Sequence, residues 1–159
     1  MNRVGFGIDV HPLVADRPLV LGGVTVPSDL GLGGHSDADV LTHAVCEALL
    51  GALALGDLGR HFPDTDPRYR GIASLRLLAE VKAMIGARGG TVVNVDATVL
   101  AQAPRLAPFL PEMAKRLADT LDLDASRVSV KAKSPEHLGL AGRREGIAAM
   151  AVASVEVPA

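Results

Sequence analysis

The sequence predicts an α/β or α+β sandwich, one mixed β-sheet covered by helices on one face. Three observations carry this. Short apolar or alternating runs, bounded by Gly, Pro and Asp, read as strands at both ends of the chain and in its middle. Longer stretches of helical pattern lie between them, an order that suits a sheet with a helical layer. Aromatic residues are only 3% of the chain and Trp is absent. The core must therefore be built from Ala, Val and Leu, and small side chains bring elements close together. The length of 159 residues suggests one domain spanning 1–159.

The elements follow in order. Arg3 to Val10 reads as a strand, with Gly5 and Gly7 allowing close backbone approach. Leu19–Leu21 and Val24–Val26 are apolar runs split by Gly22-Gly23, a hairpin signal. Leu30 to Gly34 is a glycine-rich loop. Ser36 offers an N-cap, with Asp39 three residues on, for a helix whose apolar pattern runs to Leu55. Gly56 to Gly71 is crowded with Gly, Pro, Asp and Thr and reads as an irregular loop. Ser74 to Ala87 is a second helix, ended by Gly89-Gly90. Thr91 to Gln102 reads as a strand with Val93, Val95, Ala97 and Val99 on one face. Pro104 to Leu121 is a third helix, with an irregular entry marked by Pro108 and Pro111. Arg127–Lys133 is a strand, Ser134–Gly146 a loop or short helix, and Ile147–Val157 the last strand.

Composition excludes several functions. The formal charge of −2, with no basic run, argues against nucleic-acid binding. One cysteine, Cys46, rules out an internal disulfide and fits a reducing compartment. The N-terminal stretch lacks the apolar core of a signal peptide, and the Ala/Leu run at 44–55 is too short for a membrane span and holds Glu47. A soluble, cytoplasmic protein is expected.

The chemistry centres on Asp9 and His11. They sit two apart on a strand, so both side chains leave by one face. A second imidazole, His43, would complete a three-ligand site for a divalent metal with an open fourth position. Plain structural roles, a helix-face histidine and a strand-end cap, suit the same residues. His35-Ser36 precedes a helix start, where free N–H groups bind anions or Ser36 simply caps. The loop holding Asp57 and Phe62 to Asp66 is long enough to be functional, or is a solvated connector. Lys131, Lys133 and Ser134 end a strand as a phosphate clamp would, with Arg143 further on. Glu136 could hold a harder cation such as Mg²⁺. Surface charges would look the same, above all Lys131.

Asp9-Val10-His11, Gly34-His35-Ser36-Asp37, His43, Gly56-Asp57-Leu58-Gly59, Phe62-Pro63-Asp64-Thr65-Asp66-Pro67, Asn94-Val95-Asp96, Ala101-Gln102-Ala103-Pro104, Gly142-Arg143 and Glu145-Gly146-Ile147-Ala148 run in order through the chain. By these motifs, over its whole length, it resembles the 2-C-methyl-D-erythritol 2,4-cyclodiphosphate synthase family of the non-mevalonate isoprenoid pathway. The resemblance implies a homotrimer with active sites at subunit interfaces. It implies a phosphorus-oxygen lyase that cyclises 4-diphosphocytidyl-2-C-methyl-D-erythritol 2-phosphate and releases CMP. Zn²⁺ would sit on Asp9, His11 and His43, and Mg²⁺ or Mn²⁺ would bridge the diphosphate with Glu136. His35 and Ser134 would stabilise the transition state.

The implied substrate-binding set is wide. It takes in Asp9, Val10, His11, His35 and Ser36, then Asp57, Leu58 and Gly59, which would hold the methylerythritol part. Phe62, Pro63, Asp64, Thr65 and Asp66 follow. Ala101, Gln102, Ala103, Pro104, Arg105, Leu106 and Ala107 would line a cytidine pocket with Lys133. Ser134, Pro135, Glu136, Leu140 and Arg143 complete it. The family often has Thr where this chain has Lys133 and Ser134, and Phe where it has Leu140. In some members that last region lines a cavity on the threefold axis that binds isoprenoid diphosphates, with Arg143 at its mouth.

Overall fold

A computed structural model describes residues 1–159. Five strands form one mixed sheet in the order β4-β1-β7-β5-β6. β1 (Asn2–Val14) and β7 (Gly146–Glu156) pair antiparallel from Asn2↔Glu156 to Pro12↔Gly146. β5 (Thr91–Leu100) runs antiparallel to β7 and parallel to β6 (Val128–Lys133). β1 extends four residues beyond the expected Val10, because Leu13 and Val14 pair with the two-residue β4 (Gly31–Leu32) inside the expected glycine-rich loop. The hairpin β2 (Leu19–Leu21) and β3 (Val24–Val26) forms as expected. Gly22 and Gly23 both have positive φ, the geometry a two-residue hairpin turn needs.

Helices α1 (Val40–Ala52), α3 (Ser74–Gly86) and α4 (Leu110–Leu121) cover one face of the sheet. α1 is central: all but Glu47 and Gly51 are buried, so it is apolar nearly all round. Facing it are Gly5, Gly7, Ala149, Ala151 and Ala153. A Cβ on Gly7 would fall inside van der Waals contact of the Ala44 carbonyl oxygen, and one on Gly5 would do the same at Ala48. The small-residue core predicted from composition is thus a strand and a helix in backbone contact.

The structure corrects several details. α1 stops at Ala52, short of the expected Leu55, with Leu53 as its C-cap. α1 is capped by Asp39, whose carboxylate accepts from Thr42 N–H at 3.0 Å, rather than by Ser36. Ala38 has a φ of 57°, which breaks helical geometry before Asp39, and Ser36 Oγ accepts from Ala38 N–H instead. A β-bulge between Val92 and Asn94 makes Val93 the extra residue. Val92 therefore joins Val95, Ala97 and Val99 in the core, and Val93 does not. The expected loop 56–71 contains α2 (Leu58–His61), capped by Asp57, and a 3₁₀ turn at Pro67–Tyr69, capped by Asp66. Pro104 to Leu106 stays outside the third helix: a 3₁₀ turn at Ala107–Phe109 leads into α4 at Leu110. The last loop holds the short helix α5 (Gly139–Gly142). No helix is long and apolar enough to cross a membrane.

Candidate metal centre

β1 turns Gly5, Gly7, Asp9 and His11 toward α1 by its two-residue period, while Val4, Phe6, Ile8 and Val10 point the other way. The glycines let α1 come close, and His43 on its first turn then meets the two β1 side chains. Three atoms converge: Asp9 Oδ2 lies 2.9 Å from His11 Nε2 and 3.0 Å from His43 Nδ1. The two ring nitrogens are 3.1 Å apart. The edges of a tetrahedral zinc site are about 3.3 Å, given bonds of roughly 2.0–2.1 Å. The triad is nearly that triangle without rearrangement, and it could hold a metal ion.

The far side of each ring fixes which nitrogen is available. His11 Nδ1–H donates to the Gly33 carbonyl at 2.8 Å, which leaves the Nε2 lone pair for the centre. His43 Nε2–H donates to Ser74 Oγ at 2.8 Å, which leaves Nδ1. Ser74 in turn donates its hydroxyl to Asp37, whose carboxylate also accepts Ser74 N–H at 3.0 Å. Ser36 Oγ lies 3.3 Å from the same Nε2. Both tautomers, assigned from these partners, aim lone pairs at Asp9. The electrostatics favour positive charge here. A proton taken up on the inner nitrogen of either ring is donated to Asp9: burial opposes ionisation of that carboxyl, yet hydrogen bonding from His11 and His43 in this protonated form brings its pKa down to about 2. Burial also opposes charge on His11, but Asp9 and the Gly33 carbonyl hold its pKa above the ordinary value.

The triad opens into a cleft. A cavity of about 420 Å³ is bounded by Asp9, His11, His43 and Glu47, with Leu58 and Gly59 opposite and Phe62, Pro63 and Asp64 closing it. A neighbouring one of about 230 Å³ adds Gly34, His35, Ser36, Tyr69 and Leu77. Glu47, one turn beyond His43, accepts Leu58 N–H at 3.1 Å and so ties α2 to the cleft wall. Burial raises its pKa. His35 donates Nε2–H to the Asp66 carbonyl at 3.0 Å, and the Asp66 carboxylate pairs with Arg68. Asp57 spends its carboxylate on Arg60 N–H, and Thr65, between Asp64 and Asp66 in the chain, is exposed.

The remaining expected residues gather elsewhere. Ala101, Gln102, Pro104, Arg105, Leu106, Ala107, Lys133 and Ser134 line a separate cavity of about 300 Å³, with Ala103 joined to Pro104 by a cis bond. It shares no residue with the triad's two cavities. The register puts it at the same end of the sheet: Val10 and Leu100 both pair with Ala148. Glu136 lies exposed on the loop after β6, outside the triad, following Pro135. Leu140 is partly exposed, and Arg143 pairs with Glu145. Val10 is exposed on the opposite sheet face from Asp9 and His11. The sequence reading missed Arg17, Asp37, Glu47 and Ser74. Of these only Asp37 stood in a quoted motif, and the partners of the others are remote in sequence.

Comparison with known proteins identifies the chain's relatives. The profile of the YgbB family matches residues 2–156. A 2-C-methyl-D-erythritol 2,4-cyclodiphosphate synthase of Desulforamulus reducens is 58% identical over 154 residues, covering 97% of this chain and 98% of its own. One from Pelotomaculum thermopropionicum is 61% identical over 153 residues, 96% and 94% of the two chains. A solved CDP-bound 2C-methyl-D-erythritol-2,4-cyclodiphosphate synthase superposes with a TM-score of 0.89 at 36% identity, over 97% of this chain and all of that one. The bifunctional IspDF of Campylobacter jejuni superposes with a TM-score of 0.95 at 40% identity over 99% of this chain, which spans 43% of that longer protein.

Proposed function

The chain belongs to the YgbB family, and from that premise we infer that it acts as a 2-C-methyl-D-erythritol 2,4-cyclodiphosphate synthase. It cyclises 4-diphosphocytidyl-2-C-methyl-D-erythritol 2-phosphate to the 2,4-cyclodiphosphate and releases CMP, a phosphorus-oxygen lyase reaction in isoprenoid precursor synthesis. The observation that carries this beyond relatedness is the triad: two oriented imidazole lone pairs and a carboxylate at 2.9–3.1 Å, opening into a cleft. Two nitrogens, one oxygen and an open side make the donor set of a catalytic zinc site. When bound there, Zn²⁺ would neutralise charge on a phosphoryl oxygen.

The rest is the work of this chain's own residues. Attacking and leaving groups are both anionic, so repulsion is the main obstacle, and positioning with aimed donors reduces it. His35 lines the cavity beside the triad and would face the diphosphate. Ser134 Oγ accepts Glu136 N–H at 3.1 Å, so its own hydrogen is available for a phosphate oxygen. Glu136, exposed beside it, would hold Mg²⁺ or Mn²⁺ together with the diphosphate. Leu58, Phe62 and Leu77 make an apolar wall against water. Asp57 and Gly59 would hold the methylerythritol part, and Lys133 with the 101–107 loop the cytidine.

We further propose a homotrimer in which the whole chain serves as one synthase domain and each active site spans two subunits. Two features support it. The triad's cavities and the 101–107 cavity are separate within one chain. The sheet face opposite the helices exposes Val4, Phe6, Ile8 and Val10 in a row. Incubation of the purified protein with substrate, Zn²⁺ and Mg²⁺, followed by phosphorus NMR, tests the activity. The cyclic diphosphate and CMP are expected in equal amounts. Opened phosphates without the cyclic product would make it a hydrolase and overturn the reading.

A further inference from the structure

We propose that Arg17 is a positioning residue for His35. Its guanidinium fastens the two peptide carbonyls on either side of that histidine: Nη1–H donates to Gly34 O and Nη2–H to Ser36 O, both at 2.8 Å. A planar fork of donors matches two such oxygens as no single ammonium can. The carbonyl between them, that of His35, accepts Gly71 N–H at 2.8 Å. Three consecutive carbonyls are thereby held, and Arg17 holds two. Because each peptide is planar, Arg17 fixes the plane that enters His35 through the Gly34 carbonyl, Gly71 fixes the plane that leaves it through the His35 carbonyl, and Arg17 anchors the next plane through the Ser36 carbonyl. The ring is left with its own bond to the Asp66 carbonyl.

Arg17 is itself well fixed. It follows Asp16, a residue of positive φ, in the turn from β1 to β2. Gly31 of β4 lies so close to the Arg17 and Pro18 carbonyls that a Cβ there would clash with both. The stretch it grips joins β4 to the Asp39 cap of α1 and holds no regular element of its own. That stretch also carries Ser36, whose Oγ lies 3.3 Å from His43. Arg17 lies with His35 on a polar cavity of about 510 Å³, while His35 also borders the triad's cleft. Arg17 is therefore one residue behind the site: it touches backbone and acts through the direction of His35.

The inference rests on His35 facing the reacting diphosphate, and the test separates the two. Steady-state CMP release is compared for wild type, Arg17→Ala, Arg17→Lys, His35→Asn and the Arg17→Ala/His35→Asn pair. Misplacing a reacting group by about 1 Å can cost on the order of 100-fold, so Arg17→Ala should lose roughly that in kcat with KM and bound zinc little changed. Arg17→Lys should fall between, and it carries the test if Arg17→Ala does not fold. A few millimolar guanidinium should raise the Arg17→Ala rate and leave wild type alone. In the His35→Asn background, Arg17→Ala should add little. A wild-type kcat in Arg17→Ala beside a crippled His35→Asn overturns the role of Arg17 alone. A fully multiplicative loss in the pair does so too. A wild-type rate in His35→Asn overturns the reading of His35, and the Arg17 inference falls with it.

Discussion

Ser74 touches no cleft surface, yet it decides how His43 presents itself. Its hydroxyl accepts the His43 Nε2–H and passes its own hydrogen to Asp37. Removing the oxygen frees the ring to rotate or to change tautomer, and loss of such a partner typically weakens metal affinity 10- to 100-fold. Ser74→Ala should therefore show that loss in competition against a chelator; unchanged affinity would mean that the ring is held by packing alone. Cys46 offers a second test. Burial pushes its thiol well above the ordinary 9.0. As pH climbs past 9, the unfolded chain releases this proton and the folded chain keeps it, so stability falls with rising pH. The fall from this group is at most about 1.4 kcal/mol per pH unit. Thermal melts from pH 8 to 10 should be steeper for wild type than for Cys46→Ala, and equal slopes would count against a buried thiol. The sequence made part of the triad legible, because Asp9 and His11 share a strand face by period alone. It hid the supports: Ser74 stands 31 residues from His43 and 37 from Asp37, and Arg17 stands 17 and 19 residues from the carbonyls it grips. No local pattern marks a contact of that span.

The β1–α1 contact is where packing becomes geometry at the site. Asp9 and His11 ride on one element and His43 on the other, so the spacing of the two sets the triad. A Cβ on Gly7 would strike helix backbone at Ala44, one residue from His43, and a flexible side chain is not there to give way. Overpacking of this kind typically costs about 1–3 kcal/mol, and here the strain would also separate the ligands. Gly7→Ala should lower the melting temperature and weaken zinc binding together. A variant that melts lower but binds zinc as before would show that the triad tolerates the shift. Gly5 and Gly7 were readable as sites of close approach, one of the few things, with bulges and tight bends, that a glycine inside a strand marks. The hairpin was readable for the same reason, its two glycines supplying the positive φ. The start of α1 was not, because Ser36 and Asp39 are both good caps and only the tertiary contacts choose. Asp39 also accepts N–H groups from Gly22 and Gly23, and these bonds settle the matter. The bulge after Val92 left no trace either, since positions 92 and 93 are both valine.

Over the whole molecule, β1 inverts the usual arrangement of a half-buried strand. Its large apolar residues, Val4, Phe6, Ile8 and Val10, are 68, 61, 56 and 46% exposed, while its glycines face the helices. Val152, paired in register with Phe6, adds to the same face at 42%. Alternation in the sequence gives the period but not which half of it faces the core, so this exposure was visible only in the fold. A contiguous apolar face of this kind marks an interaction surface. The chain pairs Asp96 with Lys131 on that face as well, at 2.6 Å, so it is not uniformly apolar. In the proposed assembly, a neighbouring copy packed on this face brings its 101–107 cavity to this chain's triad, which the two cavities' separation within one chain calls for. The two halves of the reaction then depart differently when the assembly is broken. Phe6→Asp puts a charge at the centre of the row and should shift the protein from trimer to monomer in sedimentation velocity. The triad lies wholly within one chain, so the monomer should still bind zinc with near wild-type affinity. Turnover should be lost, because the cytidine pocket would no longer be supplied. A wild-type protein that sediments as a monomer and still releases CMP would overturn the shared site, as would a monomeric Phe6→Asp variant with undiminished kcat.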